Sequence, residues 1–259
     1  MAEEERTGLF EDGRQKDPGL FREGNRNGQE IRPQFFREIP LFKEDGVRRL
    51  NRASAAVFGI GGVGSFAAEA LVRSGVGTLY VCDSDEVDIT NLNRQLVAYH
   101  STVGLLKTEV FRLRAADISP ECRVETFPIR FSEETLDRFP FEKFDMVLDC
   151  IDDVPAKLLL AETCQRYDVP LIMAMGAGNK LDPTKLETGT VYKTSVCPLA
   201  RRIRREFKAR GLKDVKCVFS REEVGESVDP RTPSSVAFVP SVMGLIMAGE
   251  AIKTLAGLI

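Results

Sequence analysis

No two of the six cysteines, at positions 82, 122, 150, 164, 197 and 217, stand in a Cys-x-x-Cys pair. That excludes the usual zinc-ribbon spacing and offers no disulfide framework, so reduced thiols are expected. An excess of one charge is also missing. With 36 Lys and Arg against 39 Asp and Glu the net is -3, so the molecule as a whole is not a general polyanion binder. Contact with nucleic acid would need a local basic patch. The start, Met-Ala-Glu-Glu-Glu, lacks the apolar core of a signal peptide. The longest uncharged stretch, 232–249, is broken by Pro233, Pro240 and several serines, and reads as a buried helix rather than a membrane span. A cytoplasmic location with no membrane partner is the expectation.

What is present is ample apolar material. At 259 residues and 43% hydrophobic, the chain can form one large α/β domain with an appendage. Residues 1–30 are dense in Glu, Arg, Gly and Asn and are expected to be a disordered tail. They carry a near-repeat, Gly8-Leu9-Phe10 and Gly19-Leu20-Phe21, which Leu41-Phe42-Lys43-Glu44-Asp45-Gly46 echoes.

From residue 55 strands and helices alternate. Strands are predicted at 55–60, 78–82, 123–127, 144–150 and 170–175, with helices at 63–74, 107–118 and 156–167. The last of these strands is apolar throughout, as a parallel strand buried on both faces should be. The rhythm predicts a doubly wound, mostly parallel sheet. The remainder, 181–259, is too small for a second independent domain and reads as a small C-terminal α+β appendage. In it a basic helix is predicted near 199–210, short strands near 215–219 and 235–239, and a C-terminal helix.

Gly59-Ile60-Gly61-Gly62-Val63-Gly64 joins the first strand to the first helix, a Rossmann-like glycine loop. Glycine there lets the backbone approach a phosphate seated on the helix N-terminus. Asp83 ends the next strand, 19 residues beyond Gly64, where a carboxylate can accept from ribose hydroxyls. These features alone fit a nicotinamide dehydrogenase equally well, or a glycine turn with no nucleotide.

The next residues favour a triphosphate. Arg94, in Asn91-Leu92-Asn93-Arg94-Gln95, and Lys107, after Val103-Gly104-Leu105-Leu106, supply the cations that a triphosphate's charge requires. Leu148-Asp149-Cys150-Ile151-Asp152-Asp153 ends a strand at the carboxyl edge of the sheet, where an oxygen ligand can hold magnesium on the phosphates.

In that order, Gly59 to Gly64, Asp83-x-Asp85, Asn91-x-x-Arg94-Gln95, Val103-Gly104-x-x-Lys107 and Asp149-x-x-Asp152 resemble the motif series of ThiF/MoeB/HesA-type adenylating enzymes, over about residues 34–180. The resemblance implies that residues 31–180 form an ATP-binding adenylation domain and 181–259 a substrate-binding and dimerisation appendage. It implies that Gly59, Gly61, Gly62 and Gly64 back the nucleotide and Asp83 holds the ribose, with Asp85 beside it. Asn91, Arg94 and Lys107 would hold phosphates and Asp152 magnesium, making Arg94, Lys107 and Asp152 the catalytic set. Arg37 stands where these enzymes place an arginine that reaches across a homodimer, and Asp149 is expected only to cap a helix.

Sulfur-carrier activators of that family usually carry the zinc cysteines missing here. Gly176-Ala177-Gly178-Asn179-Lys180-Leu181-Asp182-Pro183, the stretch around Tyr192 to Ala200 and Val218-Phe219-Ser220-Arg221-Glu222-Glu223 instead resemble the branch that dehydrates tRNA threonylcarbamoyladenosine to its cyclic form. One departure is Val97, where members often have a histidine nearby; the only histidine, His100, is assigned no role. Seven cations, Arg201, Arg202, Arg204, Arg205, Lys208, Arg210 and Lys213, face a single acid, Glu206, and would suit tRNA phosphates. Adenylation of the C-terminus of a ubiquitin-like sulfur carrier is the alternative reading. The sequence leaves open a monovalent cation near 176–179 and a covalent intermediate on Cys197 or Cys217.

Overall fold

The computed structural model describes residues 31–223 and 234–259. The expected disordered tail, with two of the three Gly-Leu-Phe echoes, lies outside them. The third echo falls in a helix, α1 (Ile39–Arg52), which Lys43 interrupts with a φ of 60°.

Seven strands form one sheet in the order β3-β2-β1-β4-β5-β7-β6. They are β1 (Ser54–Phe58), β2 (Thr78–Cys82), β3 (Arg123–Phe127), β4 (Met146–Asp149), β5 (Leu171–Ala174), β6 (Leu186–Thr190) and β7 (Lys216–Ser220). All neighbours pair in parallel except β6 on β7. Helices α2 (Gly64–Arg73), α3 (Lys107–Ile118) and α4 (Val154–Arg166) make the crossovers, followed by α5 (Pro198–Arg210) and α6 (Phe238–Leu255).

Both sheet faces are buried, so the strands read as apolar runs in which alternate residues serve different cores. In β1, Ala55 and Val57 join an aliphatic core with α2, α3 and α6. Ala56 and Phe58 join a second core covered by α4 and α5. Phe58 anchors an aromatic cluster there, with ring centroids 5.0 Å from Phe131 and 5.3 Å from Phe139.

The segment expected to form an appendage is continuous with this sheet: β7 pairs with β5, and α6 packs on α2 and against β4, β5 and β7. The predicted strand at 235–239 is not formed. The partner of β7 is β6 (Leu186–Thr190), and the chain enters α6 at Phe238. Pro240 suits the first turn of a helix, where its missing N–H has no partner to lose. By length and composition α6 could cross a membrane, yet Val239, Met243, Met247, Ala248 and Ala251 are fully buried in the fold. It meets α2 at Gly244, where any Cβ would lie 2.2 Å from the Val63 carbonyl oxygen.

The chain runs outward from β1 in one direction through β2 and β3 and in the other through β4 and β5. Ligands of open α/β sheets bind where the strand order reverses, beyond the carboxyl ends. Here the register aligns those ends: Phe58 opposes both Cys82 and Asp149.

Candidate active site at the strand switch point

A cavity of about 840 Å³ opens beyond these strand ends. Its floor is the glycine turn. Gly59 has a φ of 91°, and a Cβ there would come 2.7 Å from the Cys150 carbonyl oxygen. A Cβ on Gly64 would sit 1.7 Å from the Gly59 oxygen, so the helix could not start so close to the strand. Gly61 and Gly62 line the cavity.

Asp83 braces the turn while lining the cavity. Its Oδ2 accepts from Ile60 N at 2.6 Å and its Oδ1 from Asp85 N at 2.9 Å. Burial pushes the carboxyl above its ordinary range, opposed by the nearby Lys107 charge and by these amides. Asp85 Oδ2 pairs with Lys107 Nζ at 2.8 Å, an exposed carboxylate holding a buried ammonium beside the cavity.

Asn91 is buried and accepts from Asp88 N at 3.2 Å through Oδ1, which leaves its amide donors for a ligand. Arg94 Nη1 donates to Thr90 O at 2.8 Å and to Asn93 Oδ1 at 2.9 Å. Asn91, Arg94 and Lys107 all line the cavity.

Asp149 and Asp152, three residues apart, differ in kind. The expectation that Asp149 caps a helix is corrected: Asp153 caps α4, accepting from Ala156 N at 3.1 Å. Asp149 is fully buried at the end of β4 and pairs with Lys157 Nζ at 2.9 Å. A carboxylate fully buried in β4, flanked by β1 and β5, needs a buried cation, and Lys157 supplies it from the first turns of α4. Burial pushes the Asp149 carboxyl up, and the Lys157 ammonium opposes that shift. Asp152, by contrast, is exposed to the cavity and makes no hydrogen bond or ion pair among the described residues.

Among the described residues no cluster of three or more metal-ligating side chains occurs. Magnesium needs none at such a site, because one or two carboxylates and the nucleotide's phosphate oxygens suffice. The solitary, unpaired Asp152 fits that role.

The rest of the lining comes from 174–180 and from Cys197, Pro198 and Leu199 at the start of α5, while Ser235 and Pro240 border the nucleotide side, Ser235 O accepting from Asn93 Nδ2 at 3.1 Å and Pro240 lying against Gly62. Cys197 is buried at the N-cap of α5, after Val196 with a φ of 62°. Cys217, the other candidate for a covalent intermediate, does not line the cavity; burial pushes its thiol up to about 12. Arg37 is exposed and does not line its own chain's cavity. Val97 is fully buried and His100 lies exposed in a single 3-10 turn.

Gln95, Arg130 and Lys180 line the cavity as well, although the sequence suggested no role for any of them. Gln95 stood in a recognised motif, and its buried Oε1 has no hydrogen-bond partner. Arg130 lies beyond β3 in a segment without a motif.

The basic helix also needs revision. Arg210 pairs with Glu162 at 2.8 Å, so Glu206 is not the sole acidic partner. Arg204 donates to Thr194 O and Oγ1, both at 2.6 Å, and is occupied in holding the loop before α5. Ile203 and Phe207 are buried, whereas Arg201, Arg205 and Lys208 form an exposed stripe at i, i+4 and i+7.

A glycine turn, a carboxylate ending the next strand, two cations and an exposed carboxylate meet at one switch point of an α/β sheet, and the chain belongs to the ThiF family, whose model matches residues 35–258. Within that family the chain is similar to the tRNA threonylcarbamoyladenosine dehydratase of Bacillus subtilis (strain 168), at 42% identity over 239 residues, covering 86% of this chain and 94% of the relative. The dehydratase of Escherichia coli (strain K12) is 37% identical over 199 residues, 74% of either chain. The solved structure of the E. coli dehydratase, TcdA, in complex with ATP superposes with a TM-score of 0.79 at 35% identity, covering 86% of this chain and 93% of that one.

Proposed function

We propose that this protein is an ATP-dependent dehydratase of threonylcarbamoyladenosine in tRNA. The observation that carries the reading is that every residue expected to hold nucleotide or metal, except Gly64 and Arg37, lines the same cavity as residues 174–180. One chamber can therefore hold a nucleotide and a modified adenosine together.

ATP lies along the glycine turn, its ribose at Asp83 and its phosphates at Asn91, Arg94 and Lys107. Asp152 would hold magnesium on those phosphates, and the ion would offset their charge. A carboxylate oxygen of the threonyl group attacks the α-phosphorus. The bond to the bridging oxygen breaks and pyrophosphate leaves, giving an acyl-adenylate. An atom of the carbamoyl group then attacks the activated carbonyl, closing a ring and expelling AMP. The substrate oxygen lost departs on AMP, so no free water is formed. Arg94 and Lys107 stabilise the charge that grows on the phosphate oxygens, the dominant contribution in such sites. The reading calls on no monovalent cation at 176–179 and no thioester on Cys197.

The tRNA would lie against the exposed stripe Arg201, Arg205 and Lys208. Two observations support a homodimer with Arg37 serving the partner's site. Arg37 is exposed away from its own cavity, and a largely apolar groove lined by Phe66, Ala70, Leu96 and Leu245 lies open between α2 and α6.

Pyrophosphate release from ATP tests the function. It should require tRNA bearing threonylcarbamoyladenosine. Release triggered instead by a carrier protein's C-terminus, or turnover of NADH, would overturn the reading.

A further inference from the structure

Three lysines are buried among the described residues: Lys107, Lys157 and Lys180, at 5%, 0% and 3% exposure. Two of them have a carboxylate at contact distance. Lys107 pairs with Asp85 at 2.8 Å, and Lys157 pairs with Asp149 at 2.9 Å. Lys180 has none. Its Nζ donates to the backbone carbonyl of Glu222 at 3.0 Å, and no acidic side chain lies within ion-pair distance among the described residues. An ammonium carries three donors, so two are left unspent. The Glu222 carboxylate is near enough for its charge to act on Lys180 but makes no ion-pair contact with it. A buried cation without a contacting countercharge is costly, which a fold tolerates where a ligand completes it.

The loop that carries Lys180 is fixed on both sides. Before it, Asn179 adopts a φ of 56° and is bound twice to Ser234: its N–H donates to Ser234 O at 2.8 Å, and its Oδ1 accepts from Ser234 N at 2.7 Å. After it, the Glu222 carboxylate accepts from the N–H groups of Leu181 and Asp182, each at 2.9 Å. That carboxylate is thus committed to the backbone, while its own carbonyl takes one Lys180 donor. Four hydrogen bonds hold in place a residue that lines the same cavity as the glycine turn. Such support is what a positioned binding group requires.

We infer that Lys180 is the substrate-carboxylate anchor: it binds the threonyl carboxylate of the modified adenosine and presents it to the α-phosphate. This deepens the dehydratase reading and rests on it. The residue would discriminate modified from unmodified tRNA, because the two share every phosphate and this acid is the one charge the modification adds.

The test compares the affinity of the protein for tRNA with and without threonylcarbamoyladenosine, in the parent, Lys180→Gln and Lys180→Arg. Phosphate contacts cancel in the ratio. Losing a hydrogen-bonded charge should reduce the parent's preference for modified tRNA roughly tenfold to hundredfold in Lys180→Gln, with partial recovery in Lys180→Arg. ATP affinity should not change. The thermal midpoint of Lys180→Gln should hold or rise, since an unpaired buried charge is removed. An unchanged ratio would overturn the inference, as would a loss of ATP affinity or a lowered midpoint with the ratio preserved. If the parent released no pyrophosphate with modified tRNA, the dehydratase reading itself would fall, and this inference with it.

Discussion

The two walls of the cavity are built on opposite electrostatic plans. On the nucleotide wall each charged group except Asp152 arrives already partnered. Asp83 is satisfied by two amides, Lys107 by Asp85 and Arg94 by the Thr90 carbonyl. Such a wall keeps its shape before ATP enters, and the phosphates need only share donors that are already oriented. The 174–180 segment holds one buried cation, Lys180, which no carboxylate contacts among the described residues, the nearby Glu222 carboxylate being bound to backbone N–H groups. The contrast separates positioning from recognition: paired charges fix geometry, and an unpaired one selects the ligand that completes it.

The largest effect is expected at Asp152, the one carboxylate lining the cavity that has no hydrogen bond or ion pair among the described residues. Asp152→Asn should leave the fold intact and cost ~10²-fold or more in turnover, the scale of losing a charge stabiliser. Turnover within threefold of the parent would remove Asp152 from the site. Mixing Asp152→Asn chains with Arg37→Ala chains sharpens the point. Random pairing of a symmetric dimer should restore about a quarter of parental activity, through one intact site per heterodimer. Mixed dimers with no recovery would show that the site is not shared.

A smaller effect should come from outside both walls. Replacing Arg201, Arg205 and Lys208 with Gln should flatten the log–log salt dependence of tRNA affinity by about two to three units, with ATP binding untouched. An unchanged slope would make the stripe a solvated surface. Arg204→Gln, which frees the Thr194 loop, should instead lower stability and change the slope little. The least effect is expected at Cys217. With its thiol near 12, thiolate is scarce at pH 8, so alkylation of the folded protein should spare it and Cys217→Ala should keep turnover within threefold. Rapid labelling at pH 8 would contradict its burial.

The nucleotide wall was legible because its residues act close to where they stand in the chain. Gly59 to Gly64, Asp83 and Lys107 each follow a strand or open a helix, so spacing alone brings them to one edge. Lys107–Ile118 and Arg123–Phe127 form over the residues the pattern predicts. What the pattern could not convey was pairing at a distance. The predicted strand at 144–150 took in Asp149 and left Asp152 beyond it, but no local signal paired Asp149 with Lys157. Only the register of β4 against β1 makes one a buried partner of Lys157 and leaves the other facing the cavity. The same holds for Arg204 and Arg210, whose partners lie 10 and 48 residues away. The apolar run at 235–239 resembles a strand, but β6 already occupies the edge of β7, so the segment coils into α6.

Gly244 also has a consequence for the order of synthesis. The helix that follows the glycine turn is clasped by α6 at a contact only glycine permits, and α6 is the last of the described elements. On the ribosome the glycine turn and the central strands emerge first. Until α6 arrives, Ala67 and Leu71 of α2 lack part of the cover they have in the finished fold, and the cavity lacks Pro240.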